Sequence, residues 1–289
     1  MHAGLSTHLV LPQRLTPALM NTLLGSGATQ IELFAARHHF DYTDRYAVRE
    51  MASWFRSNEV VASMHMPLYS HEDGQEWSRH SAPSLNLISQ NKGDRILAMD
   101  EAKRALEAAE QIPMRFAVIH LGMNEDRWST RAIDDSLTAL EHLKAFASPL
   151  GVELLLENLS NEVATPEHLV EIVQIGHFDG IGFCLDVGHA HIAIPALPET
   201  PRSEAKSGIA QAFAVFGDRL RELHLHDNGG MRDAHLWPGE GSIDWKEVAR
   251  LSSAMAKPPV GMLEIAHELG YDTSAAVLKS RQAFESLSL

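Results

Sequence analysis

Eight short apolar segments recur along this chain, each parted from the next by an amphipathic stretch or a loop, and that alternation limits what it can fold into. The segments are 8–12, 29–34, 60–66, 116–121, 152–158, 182–187, 222–227 and 260–265. Several are unbroken runs such as Phe116-Ala117-Val118-Ile119, which suit parallel strands buried on both faces. Between them, 95–111 sets Ile96, Met99, Ala102, Leu106 and Ala109 at helical spacing, with Pro113 just beyond. Thr165-Pro166-Glu167 reads as an N-cap followed by proline at the first helical position, and Ser242 before Ile243-Asp244-Trp245 as a similar start. Eight strands alternating with helices over 289 residues predict a (β/α)8 TIM barrel, one domain spanning 1–289. A doubly wound open sheet would carry a glycine-rich phosphate loop after an early strand, and none is present. The stretch 67–93 has neither strand nor helix pattern and holds Tyr69, His71, Trp77, Arg79 and His80, so it reads as a lid or specificity loop.

Composition narrows the function classes. Lys plus Arg is 24 against 38 Asp plus Glu, a formal charge of −14, which repels nucleic-acid phosphates and disfavours such a partner. A lone cysteine, Cys184, excludes an internal disulfide and fits a reducing cytoplasm. No apolar run reaches the ~18 residues of a membrane span. Met1-His2-Ala3-Gly4-Leu5 lacks the basic end and apolar run of a secretory signal. The outlier is histidine, 17 of them, and imidazole is the commonest metal ligand among side chains.

Where these residues fall is informative. His65, His120, Glu157, Asp186, His224 and Glu264 each end one of six consecutive strand segments, the third to the eighth. In a barrel those ends converge on one mouth, where active sites are built. Each also interrupts an apolar run, where an uncompensated charge is costly; a divalent cation removes that cost. His189 follows Asp186 closely, and Asp233 and His235 lie on the turn-rich segment after the seventh strand. These nine candidates exceed what one ion needs and suggest one to three ions around a bridging carboxylate, Glu157. The mixed imidazole and carboxylate set favours zinc or manganese over magnesium alone.

The motifs Leu156-Glu157-Asn158, Cys184-Leu185-Asp186-Val187-Gly188-His189, His224-Leu225-His226-Asp227, Asp233-Ala234-His235 with Pro238-Gly239-Glu240-Gly241, and Leu263-Glu264-Ile265 together resemble the xylose-isomerase-like TIM-barrel superfamily over nearly the whole chain. That superfamily holds sugar isomerases and epimerases together with endonuclease-IV-type enzymes acting on abasic DNA. In the isomerase branch the resemblance implies one metal on Glu157, Asp186, His224 and Glu264. In the endonuclease branch it implies a second on His65, His120 and Glu157 and a third on His189, Asp233 and His235. Two departures favour the sugar branch. The run after His65 is Met66-Pro67-Leu68-Tyr69-Ser70-His71 rather than an Asp-Ser-Tyr-Leu-Ile-Asn type, and His226 replaces an asparagine with no lysine following.

The implied activity is therefore a metal-dependent isomerase or epimerase of a small sugar or sugar phosphate, working through an ene-diolate. Glu157 and Glu264 would be the acid–base pair, His189 and Arg232 would orient substrate oxygens, and Trp77 and its loop would close over the sugar. The alternative is a multinuclear phosphodiesterase or abasic-site endonuclease using all nine ligands; a third class is a non-catalytic sugar or metal binder. Glu32, at the end of the second strand, is assigned either to substrate or to a pair with Arg37, and Arg232 either to an anionic group or to a solvated loop. His2, His38, His39, His142, His168, His177 and His267 are read as surface or core histidines. By strand alternation, His191 and His226 would face away from the ligands. Cys184 reads as core packing, and assembly into a homo-oligomer is left open.

Overall fold

The computed structural model describes residues 1–70, 83–192, 208–266 and 272–288. Its strands are β1 (His2–Ser6), β2 (Gln30–Phe34), β3 (Val61–His65), β4 (Met114–Ile119), β5 (Glu153–Glu157), β6 (Gly182–Asp186), β7 (Leu220–Leu225) and β8 (Val260–Leu263). All pair in parallel with their sequence neighbours, and β1 pairs with β8, closing the barrel. The helices are α1 (Pro17–Leu24), α2 (Arg45–Ser57), α3 (Lys92–Glu107), α4 (Thr130–Ala147), α5 (Pro166–Ile175), α6 (Val187–Ile192), α7 (Gly208–Phe216), α8 (Trp245–Ser253) and α9 (Thr273–Leu287). The chain is a (β/α)8 TIM barrel. Among the described residues no helix is long and apolar enough to cross a membrane.

Strand alternation sorts the residues into two layers. Along β7, Leu223 and Leu225 join the large apolar core, while Glu222 and His224 reach across the barrel towards Gln30 and Glu32 of β2. Burying such leucines contributes about 2 kcal/mol each. Inside the barrel Phe116, Val118, Leu155 and Cys184 form a small apolar layer of their own, so Cys184 is core packing as expected. Gln30, Ser63 and Glu222 are hydrogen-bonded to one another in the interior, and Glu32 bonds to His224.

Some sequence expectations shift. The first strand is His2–Ser6 rather than 8–12, whose residues Thr7–Val10 form a short 3-10 helix instead. Leu9, Val10 and Leu11 are all buried, so the apolar run is real, but Leu5 is the residue in register with both Ile31 and Leu263. Gly4 is needed there, because a Cβ would meet Met262 at 2.8 Å. The third helix begins three residues early, at Lys92, and Ile96 on its expected apolar face is exposed. Thr165 caps α5 as expected, accepting from His168 N–H. The cap of α8 is Asp244, not Ser242, whose hydroxyl is engaged with Asn228 O and His191. The two ends of the 67–93 loop are joined by an antiparallel bridge between Tyr69 and Ser84. His71, Trp77, Arg79 and His80, with the lid expectation, lie outside the described residues, as does His267.

Candidate metal centre at the barrel mouth

The strand ends bring the nine candidate ligands to one mouth. His65, Glu157 and Asp186 are the last residues of β3, β5 and β6; His224 is the penultimate residue of β7; His120 and Glu264 follow β4 and β8 by one residue. His189 lies in the first turn of α6, and Asp233 and His235 lie between β7 and α8. Four donor atoms, one each from Glu157, Asp186, His224 and Glu264, lie within 4.8 Å of one another, and so do those of His65, His120 and Glu157.

Ring orientation carries more information than proximity. A backbone carbonyl only accepts, so an imidazole nitrogen against one must carry the proton and leave its other nitrogen as a lone pair. His65 Nδ1 donates to Met66 O at 2.9 Å, His189 Nδ1 to Asn158 O at 3.0 Å and His235 Nδ1 to Glu264 O at 2.8 Å. Their Nε2 atoms then converge on carboxylates. His65 Nε2 lies 3.5 Å from Glu157 Oε2, and His189 and His235 Nε2 lie 3.4 and 3.0 Å from Asp233 Oδ2. His65 Nε2 also approaches His120 Nε2 to 3.2 Å, and His120 Nε2 is 2.9 Å from Glu157 Oε2.

His224 is the decisive ring. Its Nε2 donates to Glu32 Oε2 at 3.2 Å, and its Nδ1 is buried without a hydrogen-bond partner. In front of that Nδ1 lie Glu157 Oε2 at 3.4 Å and Glu264 Oε2 at 3.3 Å. A lone pair facing two carboxylate oxygens is repulsive unless a proton or a metal cation stands among them. Burial opposes charge on this ring, but Cys184, Glu157, Glu32 and Glu264 hold its pKa well above the usual imidazole range, and the donor set also fits a divalent ion of the zinc or manganese type. The electrostatics agree. Burial alone would raise the Glu157 carboxyl, but the His120 and His224 imidazoles hold it well below the usual carboxylate range. Burial opposes charge on His189 and His235, yet Asp186 and Asp233 push the first up to about 10, and Asp233 and Glu264 push the second up to about 9. The carboxylates thus draw positive charge into the mouth, as protons or as metal.

Above the donors opens a cavity of about 430 Å³, whose lining includes Tyr69, Asn124, Asn161, Met231 and Arg232 besides the candidate ligands other than Asp186 and His224. That volume is in the range of small-ligand pockets, which span roughly 300–1,000 Å³.

The loop bearing Asp233 and His235 is tied down by Asp227, which the sequence reading did not single out. Asp227 Oδ1 accepts from Asn228 and Ile243 N–H, and Oδ2 from Gly239 N–H and Trp245 Nε1. Its backbone pairs with Leu236 in both directions. Gly241 wraps so closely that a Cβ would meet Asp227 Oδ1 at 2.3 Å, so the Gly239-Glu240-Gly241 turn is a backbone device. Asp227→Ala should lower unfolding stability by about 3 kcal/mol in denaturant titration, through four orphaned donors. It should also weaken metal uptake by the Asp233 and His235 set while sparing that on Glu157 and Glu264.

The xylose isomerase-like TIM barrel model matches residues 23–281. The chain belongs to that family. Among solved structures, a D-tagatose 3-epimerase-like protein superposes with a TM-score of 0.75 at 22% identity, over 100% of this chain and 97% of that one. The IOLI protein with a bound zinc atom does so with a TM-score of 0.73 at 16% identity, over 99% and 98%. At these identities the likeness is one of fold. A probable endonuclease 4 of Haloquadratum walsbyi is 25% identical over 211 residues, 67% of this chain and 71% of that protein. The chain spans 58% and 59% of the length of two curated relatives from Methanocaldococcus jannaschii.

Within this xylose isomerase-like barrel the nine candidate ligands stand at one mouth, and the assignments of Glu32, His226 and His8 change. Glu32 is mid-strand in β2, fully buried against His224 rather than at the mouth; Arg37, its suggested partner, pairs with Glu101 instead. Glu32 therefore reaches a substrate only through His224. Arg232 is exposed at the rim of the cavity. His226 does not face away: β7 ends at Leu225, alternation stops there, and the ring turns into the site, 2.9 Å from Asp186 Oδ2. His8, taken for a strand residue, lines the cavity beside His235 and Glu264. His191, which bonds to Ser242, stays outside.

Proposed function

We propose that the chain is a divalent-metal-dependent isomerase or epimerase of a small polyhydroxylated carbonyl compound, a sugar or sugar phosphate, built as one barrel domain over 1–289. The observation that carries this reading is the unpartnered Nδ1 of His224, buried behind Glu157 and Glu264, which both line the cavity. The metal would be held by Glu157, Asp186, His224 and Glu264. When bound, a divalent ion supplies Lewis acidity that polarises a carbonyl and its neighbouring hydroxyl.

The chain's own groups do the rest. Glu157 and Glu264 come from strands β5 and β8, on different sides of the barrel, and so reach a bound sugar from different directions. One, as the carboxylate, would remove the proton from the carbon beside the carbonyl and keep it. The other, entering as the carboxylic acid, would deliver its own proton to the opposite face, and exchange with solvent would reset the pair. His189, fixed by Asn158 O and Asp186, and Arg232 at the rim orient substrate oxygens. The acidic chain and the sugar epimerase-like fold relatives support a small sugar or sugar phosphate rather than a polyanion.

The test joins metal content with proton exchange. Protein purified without chelator is expected to hold tightly bound zinc or manganese, and with a panel of ketoses and aldoses in D2O it should wash deuterium into the carbon beside the carbonyl. Chelation should stop the exchange and readdition restore it. A second reading, hydrolysis of a phosphodiester, is favoured by the further donors His65, His120, His189, Asp233 and His235, and by the endonuclease 4-named relative. Cleavage of a phosphodiester without any sugar exchange would replace the first reading with the second.

A further inference from the structure

His226 is fully buried, is none of the nine candidate ligands, and touches both sets of them. Its Nε2 lies 2.9 Å from Asp186 Oδ2 and 3.8 Å from Asp233 Oδ1, and its ring stacks on His235 with centroids 3.9 Å apart. Its Nδ1 is buried without a hydrogen-bond partner, so the ring's one directional contact is the bond to Asp186. The other Asp186 oxygen accepts from His189 N–H at 2.6 Å. Both oxygens are thereby fixed, and the carboxylate cannot rotate away from Glu157, His224 and Glu264.

The space for this ring is built into the backbone. A Cβ on Gly188 would lie 2.0 Å from His226 Cε1, closer than any real contact. Gly188 is held in place by α6 and by its carbonyl, which accepts from Asn228 Nδ2 at 3.0 Å. The glycine of Asp186-Val187-Gly188-His189 and the histidine two residues beyond His224 are therefore one device, split between β6–α6 and the end of β7.

We infer that His226 is a positioning residue: it donates Nε2–H to Asp186 and sets that carboxylate for the inner metal position, and Gly188 is glycine to admit it. The inference rests on the metal reading above. His226 Nε2 also stands with Asp233 and His235 in a grouping that could hold an ion, but that nitrogen is engaged by Asp186 at 2.9 Å. Its free Nδ1, set against Gly188, has no carboxylate of the described residues within ion-pair distance, whereas the free Nδ1 of His224 has two.

The test measures zinc affinity of the full chain by competition with a chromophoric chelator, together with the number of zinc ions bound at saturation. His226→Phe keeps the ring's shape but donates nothing; its tightest zinc should weaken by roughly 10- to 100-fold at unchanged saturation. His226→Gln places an amide N–H at the reach of Nε2 and should return affinity to within a few-fold of wild type, which a purely steric role would not do. Gly188→Ala displaces the ring without altering any donor and should weaken zinc as His226→Phe does, which keeps the inference testable where the phenylalanine variant does not fold. Equal affinity in wild type and both weakened variants overturns it. Loss of a whole zinc equivalent in His226→Phe that glutamine does not restore overturns it too, making His226 a ligand. A wild type that binds no zinc sinks the metal reading and this inference with it; a zinc-binding wild type with an indifferent His226 sinks this inference alone.

Discussion

Glu157→Gln is expected to lower turnover at least ~1,000-fold, the upper part of the range for removing a positioned acid–base group. The substitution keeps the side chain's shape and removes its charge. It strikes twice, because Glu157 Oε2 is 2.9 Å from His120 Nε2, 3.5 Å from His65 Nε2 and 3.4 Å from His224 Nδ1. Among the described residues no other carboxylate is within ion-pair distance of all three rings. Metal affinity should fall by more than the roughly 10- to 100-fold typical of an outer hydrogen-bond partner, since a donor atom is lost. Glu264→Gln is the comparison. It faces His224 at 3.3 Å and His235 at 3.9 Å but neither His65 nor His120 in an ion pair, so it should spare any ion on that pair. Deuterium exchange on the active sugar and metal content per chain read the two effects separately. A Glu157→Gln protein within about tenfold of wild type in exchange would remove the carboxylate from the chemistry.

The barrel and the ring of polar side chains at its mouth are legible in the sequence because both follow from local contrasts. His120, Glu157, Asp186 and Glu264 interrupt apolar runs, and a polar residue at the end of such a run has few places to go but the mouth. The misreadings share a physical origin, the point at which a strand starts or stops. Two buried segments, His2–Ser6 and Thr7–Val10, stand side by side, and only pairing with Ile31 and Leu263 decides which is the strand. His226 was given the wrong face because period-two alternation was carried one residue past Leu225. Glu32 is misassigned, and Glu222 escapes notice, for a different reason. They lie inside the barrel rather than at its rim, and their function is visible only across it, where β2 meets β7 at His224. Asp227 left a readable signal, an acid followed by Asn228-Gly229-Gly230 and then by Gly239-Glu240-Gly241, which is what a carboxylate gathering N–H donors from a turn requires.

The second large effect concerns stability against acid, and it comes from a histidine outside the metal centre. His39 is buried; Nδ1 donates to Gln13 O, while Nε2 has no hydrogen-bond partner. Burial pushes its pKa down from 6.5 to about 3, the carbonyl of Gln13 opposing and neighbouring His38 adding to the depression. The folded chain therefore keeps His39 neutral at a pH where the unfolded chain protonates it. Between pH 6.5 and about 3 the unfolded state binds the extra proton, so stability is lost as pH falls through that window and is unaffected by this group above it. The slope is about 1.4 kcal/mol per pH unit. His39→Asn retains an N–H at the Nδ1 position for Gln13 and has nothing to titrate. Chemical denaturation of both proteins at a series of pH values, in the presence of chelator, should show wild type falling further than the variant by about 2 kcal/mol over two pH units below 6.5. Other titrating groups, including the imidazoles of the mouth, are common to both chains and cancel in the difference. Parallel curves would mean that His39 takes up its proton inside the fold, and that the pocket formed by Gln13 and His38 admits water.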